Sequence, residues 1–162
     1  MELINQIYNM YSSLLKQFNI ATSAGKKLHK VALTCLGQDV GDSGYGDEVD
    51  CAITVNNVVF KAFQDYVGGD ISTLRMFHAL KGNKKFVQVK TPLAGDIIIS
   101  PTGYGNGRLS NGHTGFISYG DKILSNDSKT GLFMPNYTRK AWKERYSDKG
   151  GFPIYYFRRI SY

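Results

Sequence analysis

One cysteine and one histidine of this 162-residue chain stand where side chains could carry out nucleophilic chemistry. Cys51 lies in the first turn of a predicted helix, where main-chain N–H groups and the helix dipole favour a thiolate. His113 opens a predicted strand, after a glycine-rich loop and within Gly112-His113-Thr114-Gly115. A thiolate attacks carbonyl carbon, and an imidazole can take the thiol proton. The pair therefore predicts acyl-transfer chemistry.

The other cysteine and the other histidines have settings that indicate structural roles. Cys35 falls within the apolar stripe of the second predicted helix, which is typical of a packed small side chain. His29 lies among lysines on the same helix, and His78 lies inside a short fourth helix. Neither cysteine belongs to a CxxC pair, so the sequence predicts no zinc site, no disulfide framework and no cofactor.

A third polar group should orient the imidazole, as in triads of nucleophile, base and orienting residue. The dipeptide Gly120-Asp121 predicts a two-residue hairpin turn. That turn pairs Gly115 with Asn126 and places Asn126 diagonally close to His113. A three-residue turn would shift the register and bring Asp127 to that face instead. Asn126 is preferred because two-residue turns are the commonest, and Asp127 stays the alternative.

Four further residues are predicted to bind substrate around this pair. Glu48 and Asp50 flank the cysteine, and their charges should raise the pKa of the thiol. A cationic His113 must then favour the thiolate. Tyr104 stands in the Gly/Asn-rich loop before the histidine, and Asp127 follows the predicted fourth strand.

The spacing of apolar residues along the sequence predicts helices in the first half of the chain and strands in the second half. The first predicted helix covers residues 3–18, and the second lies between Ser23 and Gly37. The third predicted helix begins near Asp47, and the fourth covers residues 72–80. Helices followed by an antiparallel sheet make an α+β fold. The length fits one catalytic domain, 1–162, with N-terminal helices in 1–46 and the catalytic core in 47–162. The predicted strands are 86–89, 97–99, 113–119, 122–126 and 152–160, with a short helix between Thr138 and Tyr146.

The composition is that of a globular protein, and its charge predicts an acidic partner. Hydrophobic residues make up 42% of the chain, which excludes a disordered protein. The net charge of +7 suits nucleic acid, an anionic membrane surface or the bacterial cell wall, and solubility alone is the alternative. The sequence contains no recognisable nucleic-acid module, so no nucleic-acid partner is predicted. It begins without a secretory leader pattern, so we expect synthesis in the host cytoplasm and no membrane insertion.

Short motifs around the cysteine and histidine extend the pattern. Cys51 opens a helix, Ala94-Gly95-Asp96-Ile97 leads into a strand, and Gly112-His113-Thr114-Gly115-Phe116 opens the next strand. In this order they resemble the NlpC/P60 and CHAP superfamily of papain-like cysteine hydrolases, over residues 47–126. The resemblance implies a papain-like α+β fold of NlpC/P60 type, with N-terminal helices packed on an antiparallel β-sheet.

The same resemblance implies site roles and a substrate. Cys51 would be the nucleophile, His113 the base and Asn126 the residue that orients the base. Members of the superfamily cut peptidoglycan peptides, or the amide that joins peptide to sugar, without a metal. The segments 123–128 and 142–153 are similar to small phage-encoded members, which implies a monomeric lysis or virion-associated enzyme acting at the bacterial cell wall.

Two other functions fit the same residues. One is a secreted antibacterial amidase toxin with a cognate immunity protein, and the other is a catalytically dead domain that binds the wall through its charge. A glycosidase needs two carboxylic acids in a cleft, and Glu48 is the only glutamate near the predicted site. Ala52 replaces the aromatic residue that often follows the superfamily's cysteine, so the substrate subsites stay open.

Overall fold

Four helices precede the sheet in the described part of the chain, as the apolar period predicts. The computed structural model describes residues 2–41, 50–103 and 111–162. Within them no helix combines the length and apolar character needed to cross a bilayer. Thr22, rather than the predicted Ser23, caps the second helix by accepting a hydrogen bond from Gly25 N–H. The helices are α1 at Glu2–Phe18, α2 at Ser23–Thr34, α3 at Asp50–Phe63 and α4 at Thr73–Gly82.

Six antiparallel strands of the described residues form one sheet in the order β1-β6-β2-β3-β4-β5. The last strand of the chain lies between the first two, so the sheet is completed only by the C-terminal residues. The sequence did not predict β5, which contains Pro135 and lies at the sheet edge, where a proline is tolerated. The strands are β1 at Phe86–Val89, β2 at Ile97–Ser100, β3 at His113–Ile117, β4 at Lys122–Asn126, β5 at Phe133–Thr138 and β6 at Tyr155–Arg159.

Apolar side chains cover both faces of the sheet. On one face, Val55 of α3 and Phe116 of β3 belong to the larger core, which α2 and α4 also enter. On the other face, Trp142 is fully buried in a smaller cluster. That cluster is closed by α5, at Arg139–Trp142, and by a π-helical segment at Lys143–Lys149. The described residues therefore form an α+β structure with its helices packed on an antiparallel sheet, as predicted.

A buried ion pair ties the last strand to the start of β2. Arg158 donates through Nε to Asp96 Oδ1 at 2.9 Å and through Nη2 to Asp96 Oδ2 at 2.7 Å, and both side chains are 1% exposed. The guanidinium also donates to Ile20 O, Asn19 Oδ1 and Thr91 O. Such a pair is tolerated in an interior because its donors and acceptors are hydrogen-bonded.

The Ala94-Gly95-Asp96 motif therefore has a structural role. A Cβ atom on Gly95 would lie 2.1 Å from the Gly25 carbonyl oxygen, so only glycine allows α2 to approach this turn. Asp96 accepts hydrogen bonds from Arg158 and from the main-chain N–H of Leu93. The motif positions β2 and α2 around the site without contributing a reactive group to it.

Replacement of Arg158 by methionine should lower the free energy of unfolding by about 3–5 kcal/mol, because Asp96 would stay buried without its counter-charge. Arg75→Met is the matched control, since the Arg75–Asp70 pair is exposed and should contribute less than about 1 kcal/mol. Urea unfolding of the three proteins measures both effects. Equal losses in the two variants would contradict a special role for the buried pair.

Candidate active site

Cys51 lies in the first turn of α3, with its side chain packed against β3. The helix begins at Asp50 in the described residues, and the predicted cap Asp47 lies outside them. The side chain is 6% exposed, and its sulfur accepts a hydrogen bond from the main-chain N–H of Thr114. Since Thr114 directly follows His113, this contact brings the start of the helix to the start of the histidine strand.

Burial controls the charge of the Cys51 thiol. It raises the pKa of the thiol to about 11, and the negative charge of Asp50 acts in the same direction. Main-chain N–H groups of Thr114, Ala52 and Cys51 itself lower the pKa, but desolvation is the larger effect. Cys51 is therefore a protonated thiol at neutral pH, in contrast to the thiolate that a cationic histidine would create.

His113 is held by a chain of hydrogen bonds that runs across β4 to β5. Its Nε2 lies 3.0 Å from Ser125 Oγ, and Ser125 Oγ donates to Asn136 Oδ1 at 2.6 Å. Asn136 in turn donates through Nδ2 to the main-chain oxygen of Asn126 at 3.4 Å. A Cβ atom on Gly115 would lie 2.8 Å from Ser125 Cβ, so this glycine lets the serine approach β3.

These bonds select one tautomer of the imidazole. Ser125 has a single hydroxyl hydrogen, and it is used towards Asn136, so the serine oxygen accepts from His113 Nε2–H. In the neutral ring, Nδ1 is then the unprotonated nitrogen. The arrangement leaves Nδ1 as the proton acceptor of the site.

Aromatic rings surround the imidazole. His113 stacks on Trp142, with ring centroids 5.2 Å apart, and on Tyr146, at 5.7 Å. Tyr137 meets it edge-on at 5.8 Å. The indole Nε1 of Trp142 donates to Ser100 Oγ, and Ser100 pairs with His113 across β2 and β3. The rings restrict rotation of the imidazole, and Trp142 is both core residue and site residue.

The surroundings of His113 keep it neutral. Burial lowers the pKa of the imidazole to about 3, and the positive charge of Arg145 lowers it further, whereas Asp127 raises it. The base is therefore in its proton-accepting form at neutral pH. Together with the protonated Cys51, the site is a neutral thiol–imidazole pair.

Cys51 and His113 line one cavity of about 210 Å³. Its wall is formed by the start of α3, the ends of β3 and β4, the edge strand β5 and the π-helical segment. This geometry can place a carbonyl carbon between a thiol and a base. The lining residues are Cys51, Asn111, Gly112, His113, Asn126, Asp127, Ser128, Asn136, Tyr137, Arg145 and Tyr146.

The preferred two-residue hairpin turn is wrong, and the alternative three-residue turn is confirmed. Phe116 pairs with Leu124 and Ile117 with Ile123, so the turn contains three residues, 119–121. Arg139 stabilises this longer turn, because its main-chain N–H and its guanidinium both donate to Asp121.

The shifted register changes the partner of the histidine. It places Ser125, instead of Asn126, on the face of His113. Asn126 still lines the cavity, and its main-chain oxygen ends the hydrogen-bond chain. Ser125 therefore contacts the imidazole directly, and the orienting role of the Asn126 side chain stays a prediction.

The remaining predicted site residues fall in three groups. Asp127 lines the cavity, and its carboxylate accepts from Thr130 Oγ1 at 2.9 Å within the turn after β4. Asp50 is buried beside Gly41, and its substrate-binding role stays a prediction. Glu48 and Tyr104 lie outside the described residues.

Comparison with known proteins supports the fold. No family model and no curated protein matches the chain. A solved chain of the type VI native effector–immunity complex Tae3–Tai3 from Ralstonia pickettii superposes with a TM-score of 0.53 and 14% identity, over 83% of this chain and 98% of that chain. The predicted papain-like α+β class is confirmed, whereas membership of the NlpC/P60 or CHAP families stays a prediction.

The alkylation of Cys51 by iodoacetamide should become about tenfold faster with each pH unit between pH 6 and 9. The raised pKa of about 11 means that the thiolate fraction keeps growing throughout this range. Peptide mapping by mass spectrometry distinguishes Cys51 from the buried Cys35. A pH-independent rate near neutrality would instead reveal a preformed thiolate–imidazolium pair.

Replacement of Ser125 by alanine should leave the fold intact and convert the single His113 tautomer into a mixture, because Nε2–H loses its acceptor. Long-range proton–nitrogen NMR spectra of the imidazole report the tautomer directly, and the His113→Gln spectrum assigns the signals. Unchanged His113 signals in Ser125→Ala would show that the serine does not hold the ring.

Proposed function

We propose that the chain is a cysteine hydrolase that cleaves amide bonds in peptidoglycan, the bacterial cell-wall polymer. The observation that carries this proposal is the shared cavity of Cys51 and His113, in which the start of α3 lies against β3. The hydrogen bond from His113 to Ser125 gives the base a defined orientation. The net charge of +7 favours binding to an acidic wall.

In the proposed first step, the substrate carbonyl enters the cavity and His113 Nδ1 takes the Cys51 proton as the sulfur–carbon bond forms. Because the resting thiol and imidazole are neutral, this proton transfer accompanies attack and does not precede it. The faces of Trp142 and Tyr146 stabilise the imidazolium that results. Main-chain N–H groups at the start of α3 stabilise the oxyanion.

In the second step, His113 returns the proton to the leaving amine as the carbon–nitrogen bond breaks, and a thioester with Cys51 remains. His113 then takes a proton from water, whose oxygen attacks the thioester carbon. The thiol is released with that proton, and the product is a carboxylic acid. Ser125 and Asn136 keep the imidazole oriented through both half-reactions.

A second setting for the same chemistry is that of an antibacterial effector neutralised by an immunity protein. The observation that favours it is the fold likeness to a chain of an effector–immunity complex. The similarity of 123–128 to phage-encoded enzymes supports the other setting, a lysis or virion-associated enzyme. Both settings place the action at the bacterial cell wall and require the same Cys51 and His113.

The test is hydrolysis of purified peptidoglycan by the wild type, Cys51→Ala and His113→Ala, followed by turbidity and by mass spectrometry of the released fragments. Each substitution should lower the rate about a thousandfold or more, because nucleophile and base act as one unit. Cys35→Ala is the matched control, since this cysteine is buried in the larger core and should not affect cleavage.

Two outcomes would reject the proposal. Full activity of Cys51→Ala would show that another group attacks the substrate. The absence of fragments with the wild type, on walls of several chemical types, would favour a non-catalytic wall-binding domain.

A further inference from the structure

Arg145 brings a positive charge to the cavity that holds Cys51 and His113. It lies on the π-helical segment, and the residue is exposed. The guanidinium carbon lies 5.6 Å from the centre of the Tyr146 ring and 6.0 Å from that of Tyr137. The same two rings contact His113, so one set of aromatic side chains supports both the base and the cation.

Arg145 forms no ion pair with another described residue. Within residues 2–41, 50–103 and 111–162, no carboxylate lies within 4.0 Å of its guanidinium. The acidic residue of the same cavity is Asp127, whose carboxylate is engaged by Thr130 Oγ1 and by the main-chain N–H of Lys129. The turn after β4 therefore holds the negative group in place, and the guanidinium faces the cavity without an ionic partner from the described chain.

A guanidinium is suited to one class of ligand group. Its planar set of N–H donors matches the two oxygens of a carboxylate, and pairs of this kind select for geometry as well as charge. The cation–π contacts of the guanidinium with Tyr137 and Tyr146 limit the motion of the arginine, so less conformational entropy is lost on binding. On the basis of the function proposed above, we propose that Arg145 forms a carboxylate-binding subsite, and that preferred substrates carry a free carboxylate beside the scissile amide.

Occupation of this subsite would also act on the base. Arg145 disfavours the protonated imidazole of His113 through charge repulsion. A substrate carboxylate paired with the guanidinium removes much of that repulsion, so His113 becomes a stronger base when the substrate is bound. The carboxylate should therefore improve kcat as well as KM.

The experiment compares two peptidoglycan stem peptides that differ only in the group beside the scissile amide, a free carboxylate or its primary carboxamide. The wild type should hydrolyse the carboxylate form with a kcat/KM about tenfold to a hundredfold higher. Arg145→Gln should lose this preference, and Arg145→Lys should keep part of it, because lysine keeps the charge but not the planar donor set. Lys140→Gln, a neighbouring exposed residue outside the cavity, removes the same charge and should keep the full preference.

Two results would overturn the subsite: equal kcat/KM values of the wild type for both peptides, or an Arg145→Gln variant that slows both equally and keeps their ratio. A binding measurement separates this proposal from the proposed function. Calorimetry with Cys51→Ala should show tighter binding of the carboxylate peptide, and the difference should vanish in Cys51→Ala/Arg145→Gln. If no protein hydrolyses either peptide, unequal dissociation constants still uphold the subsite, and equal ones reject it.

Discussion

The buried pair of Arg158 and Asp96 fixes how the sheet is assembled. Charges removed from water are tolerated only with their hydrogen bonds satisfied, and here the partners come from the turn after α1, the turn before β2 and the last strand. This requirement holds β6 between β1 and β2. β2 in turn supports β3, so that Ser100 lies opposite His113. The position of the candidate base therefore depends on a charge pair that lies outside the cavity.

Within that frame, the site combines rigid orientation with a neutral resting state. The hydrogen-bond chain through Ser125 and Asn136 and the stacked ring of Trp142 define the position and tautomer of His113. Burial disfavours both the thiolate and the imidazolium, so the thiol and the imidazole of the resting site are neutral at pH 7. The fold therefore fixes the orientation of the imidazole before substrate binds. We expect proton transfer from the thiol to the imidazole to occur only in the substrate complex.

The sequence was sufficient where local patterns decide the structure. Apolar spacing predicted the helices and the sheet, and it located Cys51 at a helix start and His113 at a strand start. Prediction from the sequence failed where contacts between residues far apart in the chain determine the local structure. The three-residue turn is stabilised by the hydrogen bond from Arg139 to Asp121, residues 18 positions apart in the sequence. Strand β5, which carries Asn136 of the histidine's hydrogen-bond chain, was not predicted because it contains Pro135. The sequence around Arg145 does not identify it as a site residue, because only the fold distinguishes it from the other 19 lysines and arginines.

The protonated state of Cys51 also affects how the protein withstands oxidants. Peroxides and disulfides react with thiolates far faster than with thiols. A thiol with a pKa of about 11 is almost entirely protonated at pH 7. Burial therefore disfavours the form of Cys51 that reacts to sulfenic acid, although this cysteine lines a cavity.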